Sequence, residues 1–266
     1  MKEVKVFHFV PASNPAFLEK ATKLKNCSII LDLEDGINSS ELNVAIENIN
    51  LWFEHPHSNI YWVRIDNVST ISHLSGAARR NIILPKVENV SDVENLLSHQ
   101  GVLNVLPLIE SLPALKQVSD VTGINAVSHI GIGFEDLHSK FIESPNDQLL
   151  FWNNILSQFC RDVRINNKIP VASVFTKIND GDELYNNCKW KKSCGFQSMF
   201  SIHPSQIDTI SRIFSPSDKD IDWAKKVISS WESFQGDGYS KINGDILSKP
   251  LAKKAYAIIS AMESNK

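Results

Sequence analysis

Residues 126–136 read AVSHIGIGFED, a short apolar run closed by Gly131-Ile132-Gly133-Phe134-Glu135-Asp136. Such a run suits a buried strand of a parallel sheet. The residues that close it separate the two architectures that parallel strands build. An open, doubly wound sheet usually binds its nucleotide at an early glycine-rich turn leading into a helix. Here the glycine pair comes late, and two carboxylates lie within three residues of it, where they would repel a phosphate. The alternative is a closed (β/α)8 barrel, whose chemistry sits at the C-terminal ends of the strands.

The same pattern repeats on both sides. Upstream, Val4–Val10 ends in Pro11-Ala12-Ser13, Ser28–Leu33 ends in Glu34-Asp35-Gly36, and Ile60–Ile65 carries Arg64. Ile82–Leu84 ends in Pro85-Lys86, and Val102–Ile109 ends in Glu110. Downstream, Val171–Phe175 ends in Thr176-Lys177 and Met199–Ile202 in His203-Pro204. With Ala126–Ile132 these make eight candidate strands. The segments between them have helical spacing. Ser40–Phe53 puts Leu42, Ala45, Ile46, Ile49 and Phe53 on one face, and Leu149–Val163 does so with Leu149, Trp152, Leu156, Phe159 and Val163. Ser91, with Glu94 three residues on, matches a capping box. The expected fold is α/β: a (β/α)8 TIM barrel over residues 1–214 with a C-terminal helical extension over 215–266. In the extension, helices near Ser217–Phe234 and Lys249–Met262 flank a Gly/Asp-rich turn, Gln235–Asp245. It is expected to pack as a lid on the barrel or on a neighbouring subunit.

Composition narrows the function. The chain has 266 residues, 27 Lys+Arg against 30 Asp+Glu, and a formal charge of −3. This argues against a general nucleic-acid or membrane-surface binder, which usually carries a basic stripe. Mean hydropathy is −0.14, and no long uncharged apolar run suggests a membrane span. The opening MKEVKVFHFVPAS lacks the apolar stretch and small-residue cleavage site of a signal peptide, so a cytoplasmic protein is expected. Cys27, Cys160, Cys188 and Cys194 are scattered without metal-ligand spacing and read as reduced thiols. Asn38, Asn67 and Asn89 open Asn-x-Ser strings that carry no meaning without secretion. The basic run Lys189-Trp190-Lys191-Lys192 reads as a solvated helix face, and His55-Pro56-His57 as a loop.

Charged residues gather at the strand ends: Glu34, Asp35, Arg64, Lys86, Glu110, Asp136 and His203. Glu110 and Asp136 come after adjacent strands. Two carboxylates facing one barrel mouth repel unless a cation or proton sits between them. Oxygen-only ligands suit Mg2+, with Mn2+ as a variant, rather than zinc. Arg64 is placed to pair bidentately with a substrate carboxylate. Gly133 and Phe134, in the turn before Asp136, are expected to border the substrate with Arg64 and Glu110. A metal plus a guanidinium is what a 2-oxo acid or its enolate requires. Glu34, Asp35 and Lys86 read equally as salt-bridge struts under the rim. Lys86 has a further reading as a Schiff-base amine, and His203 as a structural or substrate-lining group.

The strings FVPASNPAFLEKA, LDLEDGI, WVRID, ILPKVE, PLIESLPAL, IGIGFEDL and CGFQSMFSIHPSQI resemble, in this order, the motifs of citrate lyase beta-subunit-like proteins of the HpcH/HpaI aldolase and citrate lyase superfamily. The resemblance runs from about Val6 to the C-terminus. It implies a TIM barrel, commonly a homotrimer or hexamer, that makes or breaks C–C bonds next to a carbonyl with Mg2+. The implied partners are small molecules: an oxo acid, or an acyl thioester of coenzyme A or a carrier protein. It implies Arg64 as the substrate-carboxylate arginine, Glu110 and Asp136 as metal ligands, and Glu34 and Lys86 as polar catalytic groups lining the site. The sequence departs from the pattern in three places. Ser248 in Gly244-Asp245-Ile246-Leu247-Ser248-Lys249-Pro250 stands where the family carries an Asp that reaches a neighbouring subunit's site. Ser198-Met199 replaces a Gly-Lys, and Ala12 replaces a Gly. The expected function is a Mg2+-dependent carbon–carbon lyase joining or splitting a 2-oxo acid or glyoxylate unit and an acyl enolate. The alternatives are a metal-dependent 2-oxo acid aldolase without a thioester, or a catalytically weakened barrel that binds metal and oxo acid.

Overall fold

In the computed structural model, residues 4–55, 61–139, 141–142, 148–233, 240–242 and 245–263 are described. Eight parallel strands close a barrel in sequence order: β1 Val6–Pro11, β2 Ser28–Asp32, β3 Tyr61–Arg64, β4 Asn81–Leu84, β5 Asn104–Ile109, β6 His129–Ile132, β7 Ile169–Ala172 and β8 Ser198–Ser201. The last strand pairs with the first, Phe7 standing opposite Phe200. The helices are α1 Pro15–Ala21, α2 Leu42–Trp52, α3 Val90–Leu97, α4 Val118–Thr122, α5 Phe134–His138, α6 Leu149–Ile165, α7 Gly181–Cys194 and α8 Ile207–Phe214. After β3 the crossover is a 3-10 turn, Val68–His73, rather than an α-helix. Among the described residues no helix is long and apolar enough to cross a membrane.

Two layers of apolar side chains hold the barrel. Inside it, Phe7, Ile30, Trp62, Ile83, Leu106, Leu108, Val171 and Phe200 form one buried cluster. Outside, the alternate residues of each strand meet the helices, as Val6, Ile29, Leu31 and Val63 do. Alternation along a strand sends neighbouring side chains to opposite faces, so each strand serves both layers. Gly131 belongs to this packing. A Cβ there would lie 2.5 Å from a Leu108 methyl and 2.7 Å from the Phe200 ring. The first glycine of Gly131-Ile132-Gly133 is thus a packing requirement, not a phosphate turn.

Several boundaries move, each for a local reason. β7 starts two residues early because Pro170, which has no N–H to donate, still accepts from the Gln197 N–H at 3.1 Å. Asn89, not Ser91, caps α3. Asp92 accepts from the N–H groups of Glu88 at 2.8 Å and Asn89 at 3.0 Å, while Ser91 already lies inside the helix. Asn38, Asn67 and Asn89 each occupy such a capping position, Asn38 and Asn67 before 3-10 turns. Leu149 is 49% exposed, because α6 meets the barrel only from Trp152 onward. The basic run is a solvated face only in part, with Lys189 and Lys192 exposed and Lys191 buried. Lys191 is 4% exposed, its Nζ donating to the carbonyls of Ser173 at 2.8 Å and Val174 at 3.1 Å. The cysteines are free and mostly buried. Burial pushes the Cys27 thiol up to about 12 and the Cys188 thiol up to about 11, which keeps both unreactive.

Past the barrel, α9 Asp218–Ser233 and α10 Lys249–Glu263 pack on each other around Ala224, Val227, Leu247 and Ala255. The expected turn between them contains two short antiparallel strands, β9 Ser240–Ile242 and β10 Asp245–Leu247. Ile60, the Pro56-His57 pair, Phe234, and residues 235–239 and 243–244 of that turn lie outside the described residues.

Gly131→Ala is expected to cost about 1–3 kcal/mol through overpacking of the barrel interior. Urea unfolding with an unchanged m-value checks this; a parent-like midpoint would show that Leu108 and Phe200 yield freely.

Candidate active site

The site begins with a buried acid. Asp32 ends β2 and is 2% exposed. The in-register neighbour on β3 is Arg64, so both side chains leave the sheet on the same side. Asp32 Oδ1 accepts from Arg64 Nε and Oδ2 from Arg64 Nη2, both at 2.6 Å. The same two oxygens accept from the N–H groups of Glu34 at 3.1 Å and Gly36 at 2.9 Å. A Cβ on Gly36 would sit 2.5 Å from Asp32 Oδ2, so the Glu-Asp-Gly turn needs its glycine to wrap the carboxylate.

Arg64 carries the pairing outward. Nη1 meets Asp35 Oδ2 at 2.9 Å and Glu34 Oε2 at 3.0 Å, and the guanidinium carbon lies 4.5 Å from the centre of the Phe9 ring. Burial works against the charge, but the hydrogen bond and charge of Asp32, then the charges of Glu34 and Asp35, outweigh it and hold the pKa above its ordinary value. Glu34 Oε1 in turn accepts from Lys86 Nζ at 2.8 Å. Lys86 has a φ of +53°, rare for a non-glycine residue. That conformation accompanies a main-chain N–H that donates to Glu110 Oε2 at 3.0 Å.

Glu110 comes directly after β5 and lies across Gly133, where a Cβ would be 2.5 Å from Glu110 Cγ and 2.9 Å from Oε1. Gly133 makes room for a carboxylate. Burial, then the charge of Glu34, raise the Glu110 pKa; the Lys86 N–H works against this, Asp136 adds to it, and the balance is about 7. Asp136 stands on α5, on the same cavity.

That cavity measures about 320 Å³ and opens at the C-terminal ends of the strands. Its wall includes Arg64, Glu110, Gly133, Phe134 and Asp136, five of the residues singled out from sequence. Glu34 and Lys86 are not on the wall; they brace Arg64 and Glu110 from behind. The Lys86 amine is exposed and paired with Glu34, which raises its pKa, so it is no Schiff-base nucleophile. His203 is not on the wall either. Its Nδ1 accepts from the Ser205 N–H at 3.3 Å and caps the turn after β8. Sequence reasoning passed over Asp32, Phe9, Glu135 and Ser173, which do line the cavity. For Asp32 a signal existed, since an acid within Ile29-Ile30-Leu31-Asp32-Leu33 must be buried and needs a cation.

The wall charges do not balance. Asp32, Asp35, Glu110, Glu135 and Asp136 face inward against one guanidinium, Arg64. No group of three or more His, Cys, Asp or Glu among the described residues could cage a metal alone. A hard cation that takes two carboxylates and completes its shell with water and substrate oxygens fits this donor set; zinc, which takes Cys and His, does not.

The sequence model of the family described as HpcH/HpaI aldolase/citrate lyase matches residues 5–204. The citrate lyase subunit beta of Leuconostoc mesenteroides subsp. cremoris is 27% identical, over 97% of this chain and 92% of its own length. A (3S)-malyl-CoA thioesterase of Cereibacter sphaeroides is 23% identical, over 90% of this chain and 87% of its own. The crystal structure of CitE from Mycobacterium tuberculosis, in complex with magnesium, acetoacetate and coenzyme A, superposes with a TM-score of 0.80 at 21% identity, covering 97% of this chain and 98% of that one.

Asp32→Ala strands a buried guanidinium and is expected to cost about 3–5 kcal/mol. Combining Asp32→Leu with Arg64→Met should cost less than Asp32→Ala alone, read by chemical denaturation; an equal or greater loss would mean the pair itself supplies the stability. A second expectation concerns pH. The Glu110 pKa rises on folding from 4.5 to about 7, so the folded state holds this proton more tightly. Its contribution is full below about pH 4.5 and is lost as pH rises through about 7. Glu110→Gln should therefore match the parent Tm near pH 4.5 and exceed it near pH 8. Millimolar Mg2+ should raise only the parent's Tm at the higher pH. A Tm gap that does not change with pH would contradict the burial assigned to Glu110.

Proposed function

The chain belongs to the HpcH/HpaI aldolase/citrate lyase family, and on that premise we propose that it is a Mg2+-dependent carbon–carbon lyase of the citrate lyase beta-subunit type. It cleaves or forms the bond between a 2-oxo acid or glyoxylate unit and an acyl enolate carried on a thioester. The observation that supports this best is the pair Glu110 and Asp136 on one cavity wall, with a charge excess that a bound cation relieves.

Glu110 and Asp136 would hold the metal, which when bound supplies Lewis-acid polarisation of a carbonyl oxygen. The chain's own residues do the rest. Arg64, fixed through Nε and Nη2 by Asp32, turns Nη1 toward the cavity. Its partner Asp35 has a 72% exposed side chain, and a contact that exposed is worth at most about 1 kcal/mol. A substrate carboxylate displaces Asp35 from Nη1 and takes the charge-assisted pairing. Phe9 and Ile132 shield that pairing from water, and a lower local dielectric strengthens it. Glu34 and Lys86 keep Arg64 and Glu110 in place.

Residues 215–266 serve in this reading as a lid, on the barrel or on a neighbouring subunit of a trimer or hexamer. Their separate core around Ala224 and Val227 supports such independence. Ser248 bears on the choice of substrate. Its carbonyl accepts from the Ala252 N–H at 2.9 Å and its Oγ from the Leu251 N–H at 3.4 Å, so it caps α10. A serine without an adjacent base moves no proton near neutral pH. This favours, as a second reading, an aldol step on a free oxo acid that needs no base from this loop.

The test is a Mg2+ assay of the pure protein with malyl and citryl thioesters and with free 2-oxo acids. Arg64→Lys should weaken oxalate affinity by about 1.5–3 kcal/mol, since a fork becomes a point charge; unchanged affinity by calorimetry would remove Arg64 from the substrate site. Ser248→Asp keeps the cap and should raise thioester turnover, by up to the roughly 10²–10⁴-fold that a general base contributes. A fast parent that Ser248→Asp leaves unchanged would show that this loop is not catalytic.

A further inference from the structure

The two carboxylates proposed as metal ligands are held differently. Glu110 is braced on two sides, by the Lys86 N–H at 3.0 Å and by the close approach of Gly133. The Asp136 carboxylate has no hydrogen-bond or ion-pair partner among the described residues; the Ser139 hydroxyl, at 2.7 Å, donates to the main-chain carbonyl of Asp136 instead. Where this carboxylate stands is therefore decided by the placement of α5, which carries it. α5 has five residues, too few for a helix to be stable alone. At its start the Gly133 N–H donates to the Ile109 carbonyl at 2.9 Å, and Leu137 is buried in the outer apolar layer.

The remaining support is aromatic. Phe134 and His138, four residues apart on α5 and so neighbours on its surface, stack with ring centres 5.9 Å apart and planes at 12°. The Trp152 indole, where α6 meets the barrel, packs against both. It stands edge-on to Phe134 at 4.8 Å and tilted to His138 at 5.8 Å. Phe141 and Phe151 close on the same indole, each at 5.1 Å. Trp152 is fully buried, yet its Nε1 has no hydrogen-bond partner. A buried N–H without an acceptor is costly, and Phe or Leu would fill core space without one. The orphan calls for an explanation. A ring large enough to touch two residues of α5 and two flanking rings at once supplies it.

We propose that Trp152 is a positioning residue: it clamps the Phe134–His138 edge of α5 and so fixes where Asp136 stands relative to Glu110. The inference rests on the assignment of Glu110 and Asp136 as the metal pair, and on no other part of the lyase reading. Mg2+ demands near-ideal octahedral geometry at short distances, so a small shift of α5 weakens its binding. Phe134 then has two duties, since the ring that Trp152 presses also borders the cavity.

Calorimetric Mg2+ titration of the full chain, with amide hydrogen exchange of α5, tests this. The parent is expected to bind Mg2+ and Asp136→Asn to lose it. Trp152→Leu should weaken Mg2+ binding about 10- to 100-fold, the usual effect of removing a group that orients a metal ligand. In this variant the Leu137 N–H, bonded to the Gly133 carbonyl at 3.2 Å, and the Ser139 N–H, bonded to that of Glu135 at 2.9 Å, should exchange faster. The Leu33 N–H, bonded to the Arg64 carbonyl at 2.9 Å, should not. Trp152→Phe keeps a ring and sheds the orphaned N–H, and should restore most of the Mg2+ affinity. Phe159→Leu is the control for stability. Phe159 lies on the same helix, is 2% exposed and packs on Phe196; its loss should lower Tm and leave Mg2+ affinity at the parent's level. Parent-like Mg2+ affinity in Trp152→Leu overturns the proposal. So does an equal loss in Phe159→Leu, which marks general loosening, or a Trp152→Phe as weak as Trp152→Leu. A parent that binds no Mg2+, or an Asp136→Asn that binds it normally, removes the metal assignment instead. Exchange at Leu137 and Ser139 then decides the clamp by itself, and rates unchanged in Trp152→Leu overturn it.

Discussion

Everything at the barrel mouth hangs on the fork between Asp32 and Arg64. Two parallel strands in register bring a carboxylate and a guanidinium to the same level, and two bonds of 2.6 Å join them. Both groups are almost fully buried, so neither can exchange its partner for water without a large penalty. The Glu-Asp-Gly turn wraps Asp32, and Arg64 reaches on to Glu34 and Asp35. Arg64 is thereby fixed in direction, with Nη1 toward the cavity, which an isolated long side chain would not be.

From this anchor the charges are arranged at a cost. Glu110 is crowded by burial and by Glu34 until its pKa reaches about 7, and Asp136 adds a further negative charge on the same wall. The backbone bends to hold the arrangement. Lys86 takes a left-handed conformation to offer its N–H, and Gly133 gives up a side chain to seat Glu110. Strain and like charge collected at one place are the usual marks of a site built for a ligand of opposite charge. The rest of the barrel carries the stability, through an interior of aromatic and aliphatic side chains.

A second cavity adjoins the first, sharing Phe134, Glu135, Ser173 and Val174 as walls. Beside it, α7 divides its roles by helix face. Leu184 and Cys188 turn to the core, while Asn187 and Trp190 turn to the chamber. Lys191 belongs to both, buried yet bordering the chamber, and burial lowers its pKa to about 8. Four basic and aromatic residues in a row gave no sign of this, because the sequence shows the period of a helix but not which neighbours press on it.

The eight strands, their order and the charged strand ends were legible in the amino-acid sequence because they depend on local pattern. Apolar runs of strand length alternate with helical spacing, and only the placement of Gly131-Ile132-Gly133 was needed to prefer a closed barrel to an open sheet. The residue types on the cavity wall, Arg64, Glu110 and Asp136 among them, could be read from position at strand ends. What the sequence left open were relations across the barrel. That Arg64 is held by Asp32, that Gly133 exists for Glu110 and Gly131 for Leu108 and Phe200, and that Glu34 and Lys86 stand behind the wall are matters of distance between strands. Such distances, and the burial that turns them into strong pairs and shifted pKa values, exist only once the sheet has closed on itself.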